Sequence, residues 1–282
     1  MLVDSWRDPV RIPIHVVMSS PSPASFLQPR RLARALAGFA IGTEIQVHEE
    51  LTSTNDYVRE LGFTGYPHGL VVFAEGQTAG RGRRENRWQS EPGRDLLFSI
   101  LLRPTARVEC WPRVTTLAAL AICKAIEGCT PLKPVIKWPN DVLVGERKCA
   151  GILAETFTGG SGMFMVLGIG LNANTESYPP ELRETATSLK RVLQRDLDRT
   201  ALAIALLKQL DLQVQGLEDG YAQAVEEVRQ RSWLLGRRVT ARVQLQAVVG
   251  IASSLDHEGH LVLQQDDGQA VTLTSAEHVR PI

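Results

Sequence analysis

Within residues 112–127 the apolar side chains Val114, Leu117, Ala118, Ala121, Ile122 and Ala125 recur at the spacing of a helix with one buried face. A stripe of that width must be laid on another apolar layer, and the chain offers strands on either side of it. Residues 70–75 and 96–102 precede the helix; residues 135–137, 142–144, 151–157 and 163–171 follow it. A helix laid on a sheet predicts an α+β or mixed α/β domain. Further helices are expected at 30–40, at 199–215 and 221–231, and from the Ser53-Thr54-Asn55-Asp56 cap to Gly62, with one more strand at 45–49. At Gly236 the pattern changes. Residues 239–243, 248–253, 261–264 and 270–273 read as short strands broken by Asp256-His257-Glu258-Gly259 and Asp266-Asp267-Gly268 turns, a small separate β-barrel.

A length of 282 residues accommodates about two domains. The expected division is 1–40 as an N-terminal extension with a short helix, 41–234 as the main domain and 235–282 as the barrel. The Ser/Pro-rich stretch 19–25 reads as part of an extended leader reaching to about residue 29. Basic and acidic residues number 31 each, so there is no global polyanion-binding signature, and 44% apolar residues argue against disorder. Most of the basic residues are arginine, whose planar fork suits carboxylate and phosphate oxygens, so their placement matters more than their sum. Cys110, Cys123, Cys129 and Cys149 form no paired framework and no zinc spacing, and read as reduced thiols of a cytosolic protein. The His257/His260 pair reads as a polar hairpin tip. No apolar run is long enough for a signal peptide or a membrane span.

Five short segments can carry chemistry. The first is the cap Thr52-Ser53-Thr54-Asn55. The second is a basic loop after a buried strand, Glu75-Gly76-Gln77-Thr78-Ala79-Gly80-Arg81-Gly82-Arg83-Arg84-Glu85-Asn86-Arg87-Trp88. Its glycines allow close approach to a ligand, and its arginines can surround anionic oxygens; a solvated hairpin tip is the plain structural alternative. With little apolar surface, this loop is expected to be mobile until an anion orders it. The third is Lys137-Trp138-Pro139-Asn140-Asp141 and the fourth Lys148-Cys149-Ala150-Gly151-Ile152-Leu153. Two of the chain's few lysines sit in this apolar hairpin, where an ammonium needs an anion. A bound anion meets that need, and so do pairs of Lys137 with Asp141 and Lys148 with Glu155. The fifth is Gly168-Ile169-Gly170-Leu171-Asn172, which fits a bulge or close ligand approach better than a dinucleotide fingerprint.

In this order and spacing the five segments resemble the biotin protein ligases, over residues 44–282. The resemblance implies an α+β catalytic domain related to class II aminoacyl-tRNA synthetases, followed by an SH3-like C-terminal β-barrel. It implies ATP-dependent formation of biotinyl-5′-AMP and transfer of biotin to one lysine of a biotin carboxyl carrier domain. Carried over by position, Ser53, Thr54, Asn55, Gln77, Gly80, Arg81, Gly82, Arg83 and Lys148 fall at biotin-contacting positions. Gly151 and Gly170 would let backbone groups approach the same ring, and Trp88 would cover the alkyl tail. Lys137 and Asn140 fall on the ATP side, with Asn172 as an adenine or metal contact. Arg81, Arg83, Lys148 and Asp141 are the expected catalytic residues, Asp141 also as the Mg²⁺ carboxylate or as an aid to the acceptor lysine. Lipoate ligases share the chemistry, but their Arg-Arg-x-Ser-Gly-Gly-Gly segment is missing. Repressor-type members carry a winged helix-turn-helix before the Ser-Thr-Asn segment, whereas here 52 residues precede Ser53 and show no second helix of such a unit. A monofunctional cytoplasmic enzyme is therefore expected, with no DNA partner and no membrane. Family members dimerise through sheet edges, which leaves a homodimer open.

Overall fold

The structure is a computed structural model that describes residues 26–84, 86–160, 162–244 and 246–282. The expected leader falls mostly within 1–25, outside the described residues. Among the described residues a seven-stranded sheet runs in the order β1-β2-β3-β7-β6-β5-β4. Its strands are β1 (Glu44–Leu51), β2 (Leu70–Gln77), β3 (Leu96–Leu102), β4 (Val135–Lys137), β5 (Asp141–Val144), β6 (Arg147–Gly159) and β7 (Gly162–Leu171). Only β1 and β2 are parallel. They are linked through α2 (Thr54–Phe63), which starts where expected because the Ser53 hydroxyl accepts the Asp56 N–H.

Strand β3 is buried along its whole length because helices cover both faces of the sheet. On one face Leu96, Phe98, Ile100 and Leu102 join the main core beneath α3 (Arg113–Cys129). On the other, Leu101 meets Val58, Leu70, Val72, Phe164 and Val166 under α2. The second layer over α3 comes from α5 (Arg199–Gln215) and α6 (Tyr221–Gln230). Two differences appear at the N-terminal side. Helix α1 is shorter than expected (Pro29–Ala35), and it is no appendage: Leu27, Leu32, Leu36 and Ile41 belong to the main core. A short helix, α4 (Leu189–Leu193), and the last strand had no sequence expectation.

The C-terminal sheet, order β11-β10-β9-β8-β12, consists of β8 (Arg238–Val243), β9 (Gln246–Leu255), β10 (Leu261–Gln264), β11 (Ala270–Leu273) and β12 (Glu277–Pro281). This is the small C-terminal β domain expected, and its apolar side chains Val239, Ala252, Leu255 and Leu261 are continuous with the main core. The β9–β10 turn plugs into the larger domain. Trp138 Nε1 donates to Gly259 O (3.1 Å), Tyr221 Oη donates to Glu258 O (2.9 Å), and Arg113 pairs with Glu258 at 2.8 Å. Gly259 has φ +79°, and a Cβ there would lie 2.5 Å from Tyr221 Oη, so only glycine closes this contact.

Candidate active site

A cavity of about 770 Å³ opens where the basic loop, the start of α2, the β4–β5 turn, the ends of β6 and β7, and the start of β12 converge. Its wall at the α2 end is a chain of short polar groups. The Thr54 backbone N–H and hydroxyl both donate to Gln77 Oε1, at 2.7 and 3.2 Å. Asn55 accepts from the Ser99 hydroxyl (2.6 Å) and donates to Glu155 Oε2 (2.9 Å). Ser53, Thr54, Asn55 and Gln77 all line the cavity. Gly168 makes this packing possible, since a Cβ there would sit 1.9 Å from Asn55 Oδ1. Ser99 was missed at the sequence level; its signal was a lone hydroxyl inside an otherwise apolar strand.

The basic loop folds back on itself. Trp88 N donates to Gly80 O (2.9 Å), Gly82 N donates to Asn86 O (2.8 Å), and the backbones of Arg81 and Arg87 pair antiparallel. Gly80 shapes this turn and is not a cavity-lining residue, because its open face is taken by Trp88 O, 2.6 Å from a would-be Cβ. Arg81 lines the cavity but is not a free charge there: it is paired with Asp56 (2.8 Å) and Glu155 (2.6 Å). Burial lowers its pKa, but the two carboxylates more than reverse this and hold it above the usual arginine value. Arg83 is the opposite case. Burial pulls its pKa down, Arg84 adds to the effect and Asp141 opposes it; its guanidinium donates to Asn140 Oδ1 (3.2 Å). Arg84 pairs with Glu277 of β12, so the C-terminal sheet closes one side of the cavity. The loop thus has several protein anchors, where its sequence suggests few. Trp88 lies directly on Gly151 and Gly170, whose added Cβ atoms would meet its ring at 2.8 and 2.3 Å. Both glycines also line the cavity, and their missing side chains leave room for the Trp88 ring beside it.

The opposite wall carries the two lysines. Strands β5 and β6 pair Val142 with Ala150 but Leu143 with Lys148, a bulge of one residue at Cys149. One residue of slip moves a side chain to the other face of a sheet, so the bulge puts Lys148 on the cavity face beside Asp141 while Cys149 turns into the core. Lys148 Nζ lies 2.6 Å from Asp141 Oδ1 and 5.4 Å over the Trp88 ring. The alternative pairs read from the sequence do not form. Glu155 belongs to Arg81, and Lys137, in no ion pair among the described residues, sits 5.6 Å over the Trp233 ring. Burial lowers the Lys137 pKa, Asp141 opposes this and Lys148 reinforces it. Asn140 is fixed by Ile152, donating to its carbonyl (2.9 Å) and accepting its N–H (3.0 Å).

Asn172 is 4% exposed, donates to Thr187 O (3.0 Å) and does not line the cavity; it lies beneath the segment 185–187 that pairs with Lys148. The carboxylates lining the cavity are Asp141 and Glu277, against Arg81, Arg83, Arg84, Arg87, Lys137 and Lys148, which suits an anionic ligand. Among the described residues no group of three or more His, Cys, Asp or Glu side chains could enclose a metal ion. A single carboxylate such as Asp141 fits Mg²⁺ that shares its coordination with phosphate and water.

Comparison with known proteins agrees with this geometry. Residues 47–172 match the biotin/lipoate A/B protein ligase family, and residues 234–277 match the biotin protein ligase C-terminal domain. A biotin--[acetyl-CoA-carboxylase] ligase of Mycobacterium tuberculosis is 34% identical over 262 residues, covering 90% of this chain and 95% of that one. The bifunctional ligase/repressor BirA of Bacillus subtilis is 30% identical over 250 residues, 86% of this chain and 77% of that one. Among solved structures, the biotin protein ligase from Aquifex aeolicus in complex with biotin and ATP superposes with a TM-score of 0.76 at 26% identity, covering 84% of this chain and 99% of that one. With the five segments gathered around one basic cavity and both domain types matched in order, the chain belongs to the biotin protein ligase family.

Proposed function

We propose that this protein activates biotin with ATP as biotinyl-5′-AMP and transfers the biotinyl group to a lysine of a biotin carboxyl carrier domain. The observation that carries the reading is the cavity itself, in which a wall of short hydrogen-bonding side chains faces Arg83, Lys137 and Lys148 across Trp88. Donors and acceptors of the Ser53–Asn55 wall and Gln77 suit a ureido ring, which needs both. In the first step the biotin carboxylate attacks the α-phosphorus and diphosphate leaves. Two anions approach one another, and Lys148 and Arg83 screen that repulsion in a site partly closed to water. Lys137 and Asn140 serve the nucleotide side. Asp141 would hold Mg²⁺, which when bound supplies charge neutralisation at the phosphates. In the second step the ε-amine of the acceptor lysine attacks the acyl carbon, AMP leaves, and the protein's task is to hold the mixed anhydride still. Asp141, paired with Lys148, would also take the proton from the incoming amine.

The same reading makes the chain a cytoplasmic enzyme without a DNA-reading activity. In support of the missing DNA-reading activity, the net charge is zero and α1 is committed to the core; no described helix is long and apolar enough to cross a membrane. The test uses the purified full chain with ATP, Mg²⁺ and a carrier domain, supplied with biotin or with lipoate. Biotin-dependent ATP–diphosphate exchange and labelling of the carrier lysine are expected, and equal or better activity with lipoate would overturn the assignment. The bifunctional relatives motivate a parallel gel shift. A salt-sensitive, sequence-specific shift, poorly competed by random DNA, would show that the chain also acts as a repressor.

A further inference from the structure

Arg81 is the one loop arginine gripped from two separate elements. Its Nη1 meets Asp56 Oδ1 of α2 at 2.8 Å and its Nη2 meets Glu155 Oε1 of β6 at 2.6 Å. Asp56 also pairs with Arg59 (3.0 Å), and Glu155 also accepts from Asn55, so both carboxylates are themselves held in place. Neither Asp56 nor Glu155 lines the cavity, whereas Arg81 does. Backbone hydrogen bonds tie Trp88 to Gly80 and Gly82 to Asn86, so a residue pinned at the base of this turn restrains Arg83 and Trp88 as well.

We propose that Asp56 and Glu155 are positioning residues for the ligation site, a latch that holds the basic loop over the cavity through Arg81 before any anionic ligand arrives. A guanidinium already shared between two carboxylates has little left to offer a phosphate. Arg81 then acts as the anchor, and Arg83, whose guanidinium meets only the neutral Asn140 among the described residues, is the loop cation directed to the ligand. Retention of the reactive adenylate, which rests on the function proposed above, is on this view supplied in part by ion pairs that the ligand never touches. A mixed anhydride held under an anchored loop is kept from water and from stray amines until the acceptor lysine arrives.

The test compares the full chain with Glu155→Gln, Asp56→Asn and the double variant. A glutamine at 155 can still accept from Asn55 and an asparagine at 56 leaves the backbone cap intact, so each change removes chiefly the charge facing Arg81. Hydrogen exchange without ligand should show the Gly82 and Trp88 amides exchanging several-fold faster in each single variant and at least tenfold faster in the double. Core amides of β3 should be unchanged. In the loaded enzyme, release of biotinyl-AMP should accelerate about tenfold or more while single-turnover adenylation changes less than about threefold, and Glu155→Asp should recover part of the retention. Unchanged loop protection in the double variant would overturn the latch, as would equal loss of protection in the core. Absence of adenylate from the unmodified chain would instead overturn the proposed function, and the ligand-free exchange comparison would still decide the latch.

Discussion

Replacing Lys148 by alanine should remove adenylation while leaving the fold intact. Among the described residues the side chain makes one ion pair, to Asp141, and its backbone hydrogen bonds with Thr185 and Thr187 survive truncation. An ammonium about 4 Å from an oxyanion is worth about 4 kcal/mol at an effective dielectric near 20. Lys148 is 35% exposed and shares its charge with Asp141, so we take about 3 kcal/mol for the transition state, a loss of roughly 10²-fold in rate. Unfolding free energy should fall by no more than about 1 kcal/mol, the modest worth of a partly exposed pair. The assay is biotin-dependent ATP–diphosphate exchange, read beside thermal unfolding, for Lys148→Ala, Asp141→Asn and the double variant. Activity within a few-fold of normal in Lys148→Ala would refute the reasoning. So would restoration of activity in the double variant, since Lys148 would then serve only to neutralise Asp141.

Gly168→Ala should drive a methyl into Asn55, which Ser99 and Glu155 hold in place; we expect about 1–3 kcal/mol lower stability and a KM for biotin raised at least tenfold, checked by thermal melts and exchange kinetics. Arg83→Gly should let the adenylate escape and label bystander lysines, whereas a change at the exposed Arg87 should do much less; mass-spectrometric counting of biotinylated sites on a mixed protein sample decides between them. Burial raises the pKa of Asp95 to about 6 against the hydrogen bonds from Thr175, Ala173 and Asn174 that oppose the rise. Because the folded value lies above the unfolded one, this group's stabilising contribution is complete below about pH 4 and is lost as pH rises through about 6, on the order of 3 kcal/mol in all. Denaturant titrations from pH 4 to 7.5 should show that trend in the unmodified chain relative to Asp95→Asn; parallel curves would refute it.

The sheet was legible because buried strands and a striped helix obey short periods that a linear reading detects. β3 occupies residues 96–102, as its apolar run, broken only by Ser99, implied, and α5 begins and ends where expected. Strand β12, carrying Glu277-His278-Val279-Arg280-Pro281, lacks such a run, and its pairing with β8 is interrupted by a register shift, so nothing local announced it or its place at the cavity mouth. The barrel's continuity with the main core was equally silent, because a turn such as Asp256–Gly259 looks the same whether it faces water or plugs into Trp138 and Tyr221.

At the site, residue types and order along the chain were enough to mark the loop, the lysine hairpin and the polar cap as one constellation. What they could not specify is which charge meets which. Glu155 lies seven residues from Lys148 yet pairs with Arg81, 74 residues away, and Lys148 reaches Asp141 only because a one-residue bulge turns it onto the same face. Likewise Asn172, drawn into the ligand set by its neighbours in sequence, lies just past the end of β7 and is held out of the cavity by a hydrogen bond to Thr187 O, from a segment distant in sequence. Periodicity reports which face a residue occupies, and composition reports what chemistry is available. Partnership between charges depends on register, bulges and the approach of distant elements, which only the folded chain decides.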